Sequence, residues 1–277
     1  MLNGPWSQLV EHALMEDVGR GDVTSNALVS PGLEAEAVLE AKEDLVVCGL
    51  PVVAEVFRLV DRRIRIMPVI SEGSGALAGN TICTIRGFAR GILTGERVAL
   101  NFFQNLSAVA TLTRRFVEKV ADTNVRIVDT RKTIPGMRML QKYAVRTGGG
   151  GNHRFGLDDG VLIKDNHIQV AGGVAKAIRR VREQVHHLHR IEVECGTLDQ
   201  VREALEAGAS IIMLDNMDIE TMTKAVAINA GQALLEASGN ITLDNVLQVA
   251  ETGVDFISVG ALTHSAGSKD VSLTITD

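Results

Sequence analysis

In the second half of this chain, several residues able to do chemistry stand just after short apolar runs. Thr130, Arg131 and Lys132 follow "VRIVD", Lys164 follows "VLI", Glu194 follows "RIEV" and Asp215 follows "IIML". Small residues end two further runs: Ser238, Gly239 and Asn240 after "ALLEA", and Gly260 after "FISV". Arginine grips a carboxylate or phosphate as a planar fork, and lysine does so as a point charge. Among such cations, two carboxylates can bind ribose hydroxyls, hold Mg2+ bridged to phosphate oxygens, or ease positive charge developing on a sugar. Glycines let backbone N–H groups approach an anion closely. Together these types suit a small polyanion that also carries hydroxyls or a metal.

The densest charge lies in "DTRKTIPGMRMLQKYAVRTGGGGNHR", where Arg131, Lys132, Arg138, Lys142, Arg146 and Arg154 face the single acid Asp129. The whole chain nevertheless has a formal net charge of −6, so the cationic patch is local and its partner small. Aromatic residues make up only 3% and supply few stacking platforms, and a pI near 5.7 does not suit a polyanion binder, so nucleic acid is not an expected partner. Lys142 and Arg146, four residues apart, read as a solvated helix face. Gly148 to Gly151 read as a tight return that brings Arg154 over the same cavity. The run "HHLH" at 186–189 lacks partner carboxylates and reads as a solvated helix end. Cys48, Cys83 and Cys195 lack metal-ligand spacing and read as buried thiols. The N-terminus lacks a signal-peptide pattern and no apolar run reaches membrane-spanning length, so a cytoplasmic protein is expected.

The elements that must position these residues show in the hydrophobic pattern. A helix is predicted from about residue 5 to 17, followed by β-like runs "AEAVLEA", "LVVCG", "RIRIMPVI" and "NTICTIRG" around a helix at "VVAEVFRLV", a small α+β unit. The glycines of "EGSGALAG" miss the dinucleotide fingerprint and read as a hairpin. Residues 93–120 carry a long helix with Phe102, Leu106, Val109, Thr113, Phe116 and Val120 on one side, and a more polar stripe of Arg97, Asn101, Gln104 and Ala108. After residue 124, six apolar strands alternate with helical segments, the pattern of a parallel sheet buried on both faces. "AGASIIMLD" and "TGVDFISVG" repeat the unit, which suggests a (β/α) barrel with its site at the C-terminal strand ends.

These blocks, with "ALMEDVGRGDVTS", "LIKDNHI" and "EASGNIT", resemble the quinolinate phosphoribosyltransferase family, the carboxylating nicotinate-nucleotide pyrophosphorylases, over nearly the whole chain. The resemblance implies an α/β protein: an N-terminal α/β (α+β) sandwich over 1–110 and a C-terminal open TIM-like α/β barrel over 111–277, the last strands or tail free to pack back on the first domain. It implies transfer of a phosphoribosyl group from 5-phosphoribosyl 1-diphosphate (PRPP) to quinolinate with loss of CO2, giving nicotinate mononucleotide and diphosphate for NAD biosynthesis. It also implies a Mg2+ cofactor and a homodimer, or multiples of dimers. By the same resemblance, Arg131, His153, Arg154 and Lys164 contact the pyridine dicarboxylate, with Thr130 nearby, and Arg97 reaches the partner subunit's site. Lys132 meets phosphate, Glu194 and Asp215 meet ribose and metal, and the catalytic set is Lys164, Glu194 and Asp215. Ser238, Gly239 and Asn240 with Val259, Gly260 and Ala261 form the 5′-phosphate cradle.

Three other readings compete, one of them a non-catalytic anion sensor built on the same fold. A related transferase would keep the PRPP residues and act on another aromatic acid. Taken without the resemblance, Lys164 at a barrel strand end equally suits a Schiff-base lyase.

Overall fold

The computed structural model describes residues 6–276; the predicted helix start at position 5 lies outside them. The described residues group into two compact units. The first runs to Arg114 and includes Ile134–Gly149 and the chain from His264 onward; the second comprises Arg115–Thr133 and Gly150–Thr263. The grouping is discontinuous along the chain.

In the first unit, strand β1 (Glu34–Ala41) buries Ala37, Leu39 and Ala41, every second residue, as a sheet with one face on a core requires. Strand β2 (Leu45–Val46) leads into the helix Leu50–Val60, which starts after Gly49 in a left-handed conformation and buries Val52, Val53, Val56 and Phe57. Strands β3 (Arg65–Pro68), β4 (Gly75–Ala76) and β5 (Thr81–Phe88) follow, with β5 antiparallel to both β1 and β3. The predicted glycine hairpin is corrected here: β4 pairs with β2, Leu45 opposite Ala76, instead of folding back on β5. The Glu72 carboxylate holds that arrangement by accepting the Gly49 and Leu50 N–H groups at 2.6 and 3.1 Å.

The long helix runs Ala89–Lys119, starting four residues earlier than predicted. Its apolar side is buried as expected, Phe102 through Val109 and Thr113. Arg97 and Asn101 are exposed, whereas Ala108 at the end of the same stripe is buried. Gly95 lets the helix approach Leu50–Val60 closely, since a Cβ there would come within 2.9 Å of Phe57 Cε1. The helix Arg138–Thr147 also belongs to this unit, with the Tyr143 hydroxyl donating to Glu72 Oε1 at 2.8 Å and its ring beside Trp6.

The second unit holds β6 (Arg126–Val128), β7 (Val161–Ile163), β8 (Ile191–Cys195), β9 (Ile211–Asp215), β10 (Leu234–Ser238) and β11 (Phe256–Ser258), all parallel in the order β6-β11-β10-β9-β8-β7. Each predicted strand run is one of these. Because β6 and β7 end the order, this is an open TIM-like α/β barrel. In β8, Ile191, Val193 and Cys195 pack on the outward side while Glu192 and Glu194 alternate with them on the other. The helices Leu198–Glu206 and Ile219–Asn229 start on side-chain caps, Thr197 accepting from Gln200 N and Asp218 from Thr221 N. The last strand, β12 (Val271–Thr276), returns to the first unit and pairs antiparallel with β1, Ala37 opposite Ile275. Among the described residues, no helix is long and apolar enough to cross a membrane.

Candidate active site

The sequence after β6 turns at once. Lys132 N–H donates to Thr130 Oγ1 at 3.0 Å, and Thr263 Oγ1 donates to Lys132 O at 2.7 Å, which fixes the loop carrying Thr130, Arg131 and Lys132. The glycine-rich return then pairs along the open edge: Gly151 bridges Val128, and Asp129 N–H donates to Gly151 O at 3.2 Å. Asp129 is wholly buried and accepts both the His153 backbone N–H, at 2.9 Å, and Asn152 Nδ2, at 2.7 Å. Residues 24 positions apart are thus tied at one strand end.

From this clamp, Arg154 extends into the barrel. Its Nη1 donates to Gly160 O at 2.9 Å, while its buried Nε makes no hydrogen bond. Burial, and then the charge of Arg131, push the Arg154 guanidinium below its ordinary pKa. An anion bound beside Arg154 would offset that cost.

Across the cavity, Lys164 precedes the helix Asp165–Ala171, and its Nζ lies 3.5 Å from Glu194 Oε2. Burial pushes the Glu194 carboxyl above its ordinary pKa; Lys164 opposes that shift and Asp215 adds to it. Asp215 Oδ2 accepts from Asn216 Nδ2 at 2.8 Å, and Asn216 Oδ1 accepts from Asn240 Nδ2 at 3.0 Å. Asn216 and Asn240 both have positive φ, and Gly239 between Ser238 and Asn240 has φ +97°. Val259 N–H donates to Val128 O at 2.9 Å, and Gly260 O accepts from Thr263 N–H, which sets the loop after β11 beside the loop after β6.

The structure brings Thr130, Arg131, Lys132, His153, Arg154, Lys164, Glu194, Asp215 and Ser238 around one cavity of about 360 Å3, floored by Met213, Glu236 and Ser258. Gly239, Asn240, Val259 and Gly260 stand in the adjoining loops, Ala261 begins the short helix Ala261–His264, and none of them lines it. Arg97 belongs to the first unit and is exposed. A second cavity, of about 430 Å3, shares His153, Arg154 and Glu236 and continues toward His189 and Arg190.

Sequence reasoning missed four residues of the site. Asp129 reads as the end of a strand run, and Asn216, Glu192 and Glu236 carry no role in the sequence; the fold buries both glutamates within the parallel sheet. Lys142 corrects a reading of the opposite kind: it was expected on a solvated face with Arg146, but it is 3% exposed, and only Arg146 is open. The helix Arg138–Thr147 turns Leu140, Gln141, Ala144 and Val145 inward, and Lys142 lies within that buried arc. Cys195 is buried on the outward side of β8, with its thiol pushed up to about 12 by burial, which makes it a packing residue. His186 to His189 follow the helix Val174–Gln184 as an exposed turn.

A family model described as "Quinolinate phosphoribosyl transferase, N-terminal domain" matches residues 22–107, and one described as "Quinolinate phosphoribosyl transferase, C-terminal domain" matches 109–274. The chain is 45% identical over 276 residues to a probable nicotinate-nucleotide pyrophosphorylase [carboxylating] of a Synechocystis strain, covering 98% of this chain and 92% of that protein. It is 42% identical over 269 residues to the probable enzyme of the same name from Bacillus subtilis, covering 97% and 93%. The solved nicotinate-nucleotide pyrophosphorylase of Francisella tularensis superposes with a TM-score of 0.93 at 41% identity, covering 98% of this chain and 95% of that one.

Proposed function

We infer the activity from one premise: this chain belongs to the quinolinate phosphoribosyltransferase family. It is a pentosyltransferase that joins quinolinate to PRPP and releases diphosphate and CO2, forming nicotinate mononucleotide in NAD biosynthesis. The observation that carries the residue assignment is the pairing of Arg131 with Arg154 in one cavity whose opposite wall bears Glu194 and Asp215.

Arg131 and Arg154, with Lys164 across from them, bind the two carboxylates of the pyridine acid and orient its ring nitrogen toward the ribose. His153 and Thr130 complete that wall. Lys132 and the backbone of Ser238, Gly239, Asn240, Val259, Gly260 and Ala261 take the phosphates. Glu194 and Asp215 face the sugar and ease positive charge on its anomeric carbon as the nitrogen attacks. The ring nitrogen, now cationic, stabilises the electron pair left on the adjacent carbon when its carboxylate departs as CO2, and a proton from water then takes that position, so no organic cofactor is required.

The donor set also fits Mg2+. Burial, and then the charge of Asp215, raise the cost of ionising Glu194, and a hard divalent cation beside these oxygens would relieve it. Bound there, directly or through water and PRPP, Mg2+ would neutralise charge on the departing diphosphate. We assign the protein to the cytoplasm as a homodimer, or multiples of dimers, in which Arg97 reaches the partner subunit's site.

The Schiff-base reading finds no support. The Lys164 side chain is 47% exposed and sits beside a carboxylate, unlike the dry, cation-rich surroundings that free a lysine amine for attack. The decisive experiment supplies PRPP and Mg2+ with either quinolinate or nicotinate. Diphosphate and CO2 released from quinolinate, with nicotinate inert, support the assignment; turnover of nicotinate with quinolinate inert would mark a transferase for another aromatic acid.

A further inference from the structure

Glu192 lies two residues before Glu194 on β8, points into the barrel and is 5% exposed. Its Oε2 is 3.1 Å from His153 Nε2, and Glu236 Oε1 lies 3.7 Å from the same nitrogen. The other ring nitrogen is also engaged: His153 Nδ1 accepts the backbone N–H of Arg154 at 2.8 Å. An imidazole nitrogen that accepts a hydrogen bond carries no proton, so the ring proton sits on Nε2 and is directed at the two buried carboxylates.

We propose that Glu192 is a positioning residue for the acid pocket, acting through His153 on Arg154. Glu192 fixes the ring plane and tautomer by accepting from Nε2–H. The ring then holds the Arg154 backbone through Nδ1, while Gly160 O holds the guanidinium through Nη1, so both ends of the Arg154 side chain are fixed at the cavity wall. In this arrangement His153 presents no ring N–H to the substrate; its contribution is the orientation of Arg154. A carboxylate that sets a histidine tautomer so that the ring can serve a third group is a general device. This inference rests on reading the Arg131 and Arg154 wall as the pyridine dicarboxylate site.

The test compares Glu192→Ala, Glu192→Gln and Arg154→Ala with the wild-type chain, measuring KM for quinolinate and for PRPP separately. Glu192→Ala is expected to raise the quinolinate KM by about tenfold, with the PRPP KM within about twofold, because a small displacement of a substrate clamp is costly. Glu192→Gln keeps a carbonyl acceptor for Nε2–H and is expected to restore most of that loss. An unchanged quinolinate KM in Glu192→Ala, or a glutamine variant as impaired as the alanine one, overturns the proposal. If Arg154→Ala also leaves the quinolinate KM unchanged, the pocket reading itself fails; if Arg154→Ala raises it and Glu192→Ala does not, only the positioning role fails. Nitrogen-15 spectra of the wild-type His153 ring need no variant to fold. They are expected to show the neutral Nε2–H tautomer, and a protonated Nδ1 overturns the scheme.

Discussion

Gly239 and Asn216 are packed so closely that a Cβ on Gly239 would come within 2.2 Å of Asn216 Oδ1. That oxygen accepts from Asn240, and the same side chain donates to Asp215, so one glycine keeps a carboxylate and a phosphate loop in register. With φ at +97° as well, Gly239→Ala meets both a steric and a backbone penalty, on the order of 1–3 kcal/mol. The expected result is a lower midpoint in urea together with a raised KM for PRPP. A variant with unchanged PRPP kinetics would remove the loop from the phosphate site.

In the proposed function, Arg131 and Arg154 both serve the pyridine acid and leave PRPP to other residues of the cavity. Arg131→Ala is expected to raise the KM for quinolinate at least about tenfold while changing PRPP affinity little, since a buried fork to a carboxylate contributes a few kcal/mol. Steady-state kinetics with each substrate varied in turn measures this, and equal loss for both substrates contradicts the division.

Glu236 makes stability depend on pH. Burial first, and then the charge of Glu192, push its carboxyl up to about 7, with His153 opposing and Asp129 adding. The folded state therefore keeps a proton that the unfolded chain releases near its ordinary value of 4.5. This contribution favours the fold at low pH and is lost as pH rises through the window from about 4.5 to about 7. Glu236→Gln should flatten the decline of stability across that window and make the variant the more stable protein at pH 8, by about 1–3 kcal/mol. Urea titrations at pH 5 and pH 8 give the comparison.

Asp129 joins two distant segments at the edge of the barrel. Asp129→Ala leaves the His153 N–H and the Asn152 amide without this buried acceptor, a loss of about 2–3 kcal/mol. Because the same bonds place Arg154, the variant should also lose quinolinate turnover under conditions where circular dichroism shows it folded.

The strands of the barrel and most of its cavity were legible in the sequence, since both depend on local signals. An apolar run of four or five residues specifies a buried parallel strand, and the residue after it faces the mouth whichever strands become neighbours. Thr130, Arg131, Lys132, Lys164, Glu194, Asp215 and Ser238 were readable on that basis and do line one cavity. The return of His153 and Arg154 was suggested by four glycines, but its anchor, Asp129, was not visible, because a buried acceptor is defined by donors more than twenty positions away. For the same reason the pairing of β12 with β1, the pairing of β4 with β2 and the burial of Lys142 appear only in the folded chain. Glu192 and Glu236 show the division most clearly. Alternation along one strand says that each faces inward, but only the order of the parallel sheet brings both to His153 Nε2, where burial and the charge of Glu192 push the Glu236 carboxyl up.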